Sequence, residues 1–227
     1  MDTNNVKYIP KRKNLAYDIG QKSTQNILEM IYNVKYENKG AFHILKNKGG
    51  IILPKHHYNM DIPLIGALIR ESIDRRAYYL MKSSLPKVLE YFGGIPISRG
   101  KDIRMIPKEK RREALEHAKV EGEYLFNIML PELLKKDEII VIYPEVERTK
   151  DYRKEGTPKK KVLFKIIQMQ DIMQKEVPLI PVDITYEKGK EAGGIITLKA
   201  IEPIYTSNAE TLEDYLVDNI PLMVKGK

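Results

Sequence analysis

Strand-sized apolar runs alternate with longer, helically periodic segments along this chain. Ile51–Pro54, Ala77–Met81, Ile95–Ile97, Ile139–Tyr143 and Val177–Tyr186 are short, apolar and bounded by turn residues, as strands are, and Ile195–Tyr205 is extended behind Gly193-Gly194. Between them, Ile62–Arg75, Leu85–Phe92, Val162–Gln174 and Leu212–Ile220 carry helical spacing. A longer helical stretch spaces Ala114, Leu115, Ala118, Tyr124, Leu125 and Ile128 for burial, and Pro131 predicts a break or kink at its end. Near the start, Ile27, Met30, Ile31 and Val34 recur behind Ser23, a capping residue, which predicts a helix packed on the core. The alternation predicts an α/β fold. No repeat or low-complexity linker cuts the chain.

Length and charge narrow the picture. At 227 residues the chain suits one substantial core, with a basic segment and amphipathic helix over 1–33 and the main domain over 34–227. Lys plus Arg number 39 against 31 Asp plus Glu, a net charge of +8, so an anionic partner or surface is expected. The basic residues are spread along the chain and not interleaved with aromatics in a recognisable module, which argues against nucleic acid. There is no cysteine, so disulfides and thiolate chemistry are excluded and a reducing, cytoplasmic setting is expected. No apolar run approaches the roughly 18 residues of a spanning helix. Met1–Asn14, with Lys7, Lys11, Arg12 and Lys13, lacks the apolar core of an export signal.

Candidate chemistry gathers where strands give way to loops, the edge at which open α/β sheets place their sites. His56 and Asp61 follow the Ile51–Pro54 run closely enough for an imidazole base and its orienting carboxylate. A second block, Gly94-Ile95-Pro96-Ile97-Ser98-Arg99, offers a turn glycine and an arginine just past a strand. The third is Tyr143-Pro144-Glu145-Val146-Glu147-Arg148-Thr149, and the fourth is Val177-Pro178-Leu179-Ile180-Pro181-Val182. His57 could join His56 and Asp61 around a metal, but adjacent histidines in an extended run point apart, and no further His or Cys is spaced as a ligand. No metal is expected. His43 and His117 stand alone and read as structural or solvent-exposed.

In this order the four blocks resemble those of the glycerolipid acyltransferase family, best known for 1-acyl-glycerol-3-phosphate (lysophosphatidic acid) acyltransferases. The resemblance covers roughly Val34 to the last residue. It implies a single domain with a mixed central sheet flanked by helices, lying beside a membrane. It also implies acyl transfer from a coenzyme A or acyl-carrier-protein thioester to a glycerol hydroxyl, with no tightly bound cofactor. His56 is then the general base and Asp61 its orienting acid, while Gly94, Arg99, Glu145 and Arg148 fall in the blocks that bind the phosphate-bearing acceptor. The most expected acceptor is a lysophospholipid, 1-acyl-glycerol-3-phosphate, giving phosphatidic acid. Glycerol-3-phosphate or another lysolipid is the alternative, and a non-catalytic basic membrane-binding protein is the reading from another class. The implied location is cytoplasmic, peripheral at the inner face of an anionic membrane. Four positions depart from the family: Lys55 stands where asparagine is common, Tyr58 where serine is, and Val146 and Glu147 where glycine and threonine are. Valine tolerates positive φ badly, so the third block is expected not to take the glycine conformation cheaply.

Overall fold

A computed structural model describes residues 10–189 and 191–226. Lys7 and the rest of residues 1–9, part of the basic segment, lie outside the described residues. Among the described residues there are seven strands: β1 (Asn33–Glu37), β2 (Gly50–Pro54), β3 (Ala77–Lys82), β4 (Gly94–Ile97), β5 (Ile139–Val141), β6 (Leu179–Tyr186) and β7 (Ile195–Ala200). They form one sheet in the order β1-β7-β6-β2-β5-β3-β4. Strands β6, β2, β5, β3 and β4 run parallel, β7 returns antiparallel to β6, and β1 pairs parallel with β7. The sheet is therefore mixed and the architecture α/β.

Helices cover both faces, which explains why β2 reads as an uninterrupted apolar run. Ile52 faces one layer and Ile51 and Leu53 the other. The first layer is built by α1 (Asn14–Ile31) and α2 (Asp61–Ile73), the second by α5 (Leu130–Lys135), α6 (Lys160–Met173) and α7 (Ala209–Asn219). Leu64, Ile65, Leu68 and Ile69 lie on the core side of α2, with no more than 1% of their surface exposed. Truncating one of them to alanine would cost about 2–5 kcal/mol. Asp61 starts α2, Pro63 sits in its first turn where a missing N–H is tolerated, and Asp74 ends it in the left-handed region at φ 49°.

Several expectations are corrected. The first helix begins at Asn14 with no side-chain cap, so Ser23 lies mid-helix, and Val34 belongs to β1. Its inner face is Tyr17, Gln21 and Leu28, whereas Ile27, Met30 and Ile31 point outward together with Leu15 and Ile19. Gln21 makes that inner contact through a hydrogen bond to the Pro63 carbonyl, 2.7 Å, which hydropathy does not signal. Leu85–Phe92 is not an α-helix; after Pro86 it tightens into a 3₁₀ segment, Lys87–Phe92. Pro131 does not break the long helix: α4 (Lys108–Tyr124) runs through a π turn, Leu125–Met129, into α5. A widened turn is a way for a helix to absorb the hydrogen bond that proline cannot make. Ala114, Leu115 and Ala118 are not buried, since no residue of the charge-rich α4 is. A short helix, α3 (Gly100–Ile103), precedes it.

Candidate active site

The site forms where β2 and β5 end side by side. Asp61, fully buried at the start of α2, is its hub. Its Oδ2 accepts from the backbone N–H of His57 (2.6 Å) and of Tyr58 (2.8 Å) and lies 3.0 Å from His56 Nδ1. Its Oδ1 accepts from the Tyr186 hydroxyl at the end of β6. With donors at both oxygens and the positive end of α2 behind it, Asp61 is an acceptor, so His56 Nδ1 carries the proton and Nε2 is left with the lone pair. The Tyr143 ring lies on the imidazole with centroids 4.1 Å apart, fixing its plane. The histidine and aspartate are brought together as a pair in which one orients the other.

His57 plays a different part. Its ring turns away, with Nδ1 2.8 Å from Thr149 Oγ1, and burial lowers its pKa to about 4, so it is neutral near pH 7. Among the described residues no group of three His, Asp or Glu side chains could hold a metal ion.

The third block closes over this centre. Glu145 Oε1 accepts from the His56 backbone N–H (2.9 Å), and its Oε2 meets the fully buried Lys55 ammonium at 3.3 Å. Burial raises the Glu145 pKa and lowers that of Lys55, each opposed by the attraction of the other. Glu145 is therefore sealed beneath the histidine, 2% exposed, and engaged on both oxygens. Two backbone bonds, Thr149 N–H to the His56 carbonyl (3.1 Å) and Lys150 N–H to the His57 carbonyl (3.3 Å), seat the loop on the first block. Exposed Arg148 donates to Asn59 Oδ1. Val146 adopts the conformation that glycine would favour, at φ 65°, which a β-branched residue does not take cheaply. The turn is held by its N–H to the Tyr143 carbonyl (3.1 Å) and by Arg99 Nη1 donating to its carbonyl (3.4 Å).

Arg99 emerges just past β4, as its spacing implies. Its Nε and Nη2 grip Asp102 at 3.0 and 3.2 Å, and Lys82 joins the same carboxylate at 3.1 Å. One edge of its planar fork is thus occupied, leaving Nη1 toward the third block. Gly94 is not the turn glycine; it lies inside β4, where a Cβ would meet Met81 Sδ at 2.5 Å. The left-handed turn is at Gly93, φ 87°. The fourth block becomes β6 and its entry, and the Val182 carbonyl accepts from Lys55 N–H (2.9 Å), aligning the end of β2.

Sequence reasoning gave no role to Tyr143, Thr149 or Tyr186. Tyr143 sits beside Pro144-Glu145 and could have been suspected, but Tyr186 reaches Asp61 from 125 positions away, beyond any local signal.

A family model described as Acyltransferase matches residues 33–185, well over half of the chain. The chain belongs to the acyltransferase family. No curated protein matches it significantly. Among solved structures it is similar to the 1-acyl-sn-glycerophosphate (LPA) acyltransferase PlsC from Thermotoga maritima, at 19% identity. That match covers 95% of this chain and 82% of the other with a TM-score of 0.56, and it establishes the shared glycerolipid acyltransferase fold.

Proposed function

We propose that this acyltransferase moves a fatty acyl group from an acyl thioester to the free hydroxyl of a lysophospholipid, with 1-acyl-glycerol-3-phosphate as acceptor and phosphatidic acid as product. The observation that carries this reading is the His56–Asp61 pair, whose 3.0 Å contact leaves Nε2 as a base. Nε2 takes the proton of the acceptor hydroxyl as its oxygen attacks the thioester carbonyl. The C–O bond forms, the C–S bond breaks, and the imidazolium returns the proton to the departing thiolate. Asp61 offsets the charge that His56 carries between these steps. Arg99 Nη1, Arg148 and Lys82 are the cations that would face an acceptor phosphate. Glu145, buried under His56, acts as a support and not as a ligand.

The test is turnover with labelled acyl-coenzyme A or acyl-carrier protein and a panel of acceptors. Preference for 1-acyl-glycerol-3-phosphate supports the reading. Equal use of zwitterionic lysolipids, or of glycerol-3-phosphate, would move the acceptor assignment, and no transfer to any hydroxyl would remove it.

An acceptor with one acyl chain resides in a bilayer, yet among the described residues no helix is long and apolar enough to cross one. The protein therefore docks on the membrane surface in this reading, and the outward face of α1 is the means. Leu15, Ile19, Ile27 and Met30 are 55–86% exposed there, and the 3₁₀ segment adjoining α1 adds exposed Val88 and Tyr91. The basic residues contribute less freely than their number suggests. Arg12 stacks on Tyr78 and pairs with Glu138, Lys11 pairs with Glu90, and Lys13 lies over Tyr91. Vesicles containing anionic lipid should bind the protein, with only partial release as added salt shortens the screening length from about 10 to about 3 Å. Met30→Glu should weaken sedimentation with vesicles, and unchanged sedimentation would exclude this face.

A further inference from the structure

Lys55 is the departure from the family that the geometry explains most fully. It lies directly before His56, and its ammonium, completely buried, makes two contacts: Glu145 Oε2 at 3.3 Å and the backbone carbonyl of Leu222 at 2.7 Å. The second partner lies in the segment after α7, far from the site in sequence. That segment is stitched to the loop following the third block. Gly156 N–H donates to the same Leu222 carbonyl (2.8 Å), and Val224 N–H donates to the Gly156 carbonyl (2.9 Å). Gly156 also packs so tightly on Glu145 that a Cβ there would lie 1.5 Å from its Oε2. Leu222 itself takes the left-handed conformation, φ 60°, to present its carbonyl.

A buried ammonium is costly and stays only where its hydrogen bonds are met. Here the charged groups around it are Glu145 from the loop after β5, Asp183 from β6 and Glu155 from the following loop. The ammonium thus joins three chain segments at one point, and Glu145, so fixed, carries the connection onward to the His56 backbone N–H.

We infer that Lys55 is a positioning residue for His56: it ties the segment after α7 to Glu145, and through Glu145 holds the backbone from which the catalytic imidazole projects. The inference rests on His56 being the base. An asparagine at 55, the residue common in the family, would be too short to reach Leu222, so the tie is a property of this chain.

The test reads backbone and chemistry separately. Hydrogen exchange of the His56 amide is measured in the full chain and in Lys55→Asn, alongside steady-state kinetics. In Lys55→Asn the His56 amide should exchange about tenfold faster or more, while the Ile51 amide, bonded to the Pro178 carbonyl at the entry to β6, keeps its protection. The value of kcat should fall about tenfold with acceptor KM changed less than about twofold, because positioning and not binding is lost. Unaltered protection at His56 overturns the inference whatever the kinetics show. Lost protection with kcat unchanged overturns the positioning role. If Lys55→Asn does not fold because Glu145 is left buried without its partner, Lys55→Met/Glu145→Gln removes both charges, and the same two readouts decide. A wild-type chain that transfers no acyl group refutes the proposed function, and the exchange comparison still decides whether the tie exists.

Discussion

The loop after β2 and the loop after β5 meet around one histidine but are made in opposite ways. The first is organised mainly from within: Asp61 satisfies the His57 and Tyr58 N–H groups and His56 Nδ1, all within five positions, and Tyr186 meets its other oxygen. None of the described residues between Pro54 and Asp61 has positive φ. The second depends on distant partners. It places Val146 and Lys150 at positive φ, and its glutamate is held by Lys55, Gly156 and, through Lys55, Leu222. Local satisfaction sets the geometry of the His56–Asp61 pair, and Tyr186, Tyr143 and Glu145 buttress it from elsewhere in the fold. Long-range satisfaction lets the second loop differ from the family pattern while still closing over the pair.

The largest expected effects break the local loop. His56→Ala should lower kcat by roughly 10²–10⁴-fold, since proton transfer loses its acceptor. The melting temperature should change little, because Asp61, the buried partner of the ring, keeps its other three donors. Asp61→Asn should cost about 10²-fold or more in kcat and also destabilise the fold. An amide can put only one oxygen where the carboxylate has two, so one of its four donors is left unmet. A stable, fully active Asp61→Asn protein would show that the loop does not need its hub. Next comes Arg99→Ala, which should raise acceptor KM about tenfold with a smaller change in kcat, and Arg99→Lys should restore only part of it. Loss confined to acyl-donor use would show that Arg99 faces the wrong substrate.

The same contrast governs what could be read from the chain. The His56–Asp61 contact was legible because its members lie close in sequence after a strand whose apolar run marks burial on both faces. Strands β2, β3, β4 and β6 were legible for the same reason. Strand β1 was not, since Asn33–Glu37 alternates weakly at a sheet edge. The outward apolar face of α1 misled, because helical spacing reports that one face is apolar and not which way it points. The charge-rich α4 misled for a related reason: Ala114, Leu115 and Ala118 carry a core-like spacing on a helix none of whose residues is buried. Glu145 was placed with the acceptor by the resemblance alone, and its contact with buried Lys55, 90 positions away, has no local signal in the sequence.

Acid–base behaviour offers a finer comparison. Burial raises the Asp183 pKa from an ordinary 3.8 to about 6 and lowers that of His57 from 6.5 to about 4. Asp183, a carboxyl favoured in its neutral form, contributes stability below about pH 4 that is lost as pH rises through about 6. His57, favoured neutral, contributes stability above about pH 6.5 that is lost as pH falls through about 4. The two slopes oppose each other between these limits, so wild-type stability should vary little there. Asp183→Asn removes one slope. The variant should match wild type near pH 4 and exceed it by about 3 kcal/mol above pH 6, at 1.36 kcal/mol per unit. Melting curves across pH 4–8 check this, and an Asn variant no more stable than wild type at pH 7 would show that burial does not raise the Asp183 pKa.

The smallest effect probes the strain in the second loop. A β-branched residue at φ 65° costs about 1–3 kcal/mol, and half-buried Val146 recovers only part of that through packing. Asparagine enters this region far more readily and, unlike glycine, does not add much freedom to the unfolded chain. Val146→Asn should therefore raise stability by about 1 kcal/mol, and Val146→Gly by less, because its gain in the folded loop is offset by unfolded-state entropy. Lys150→Asn, at φ 62° but unbranched, should gain only a few tenths of a kcal/mol. The ranking matters more than any single value. If Val146→Asn destabilises while Lys150→Asn stabilises, the valine side chain must be held by packing worth more than the backbone strain. The second loop would then owe its shape to position 146, and not to Lys55, Gly156 and the distant segment that meets them.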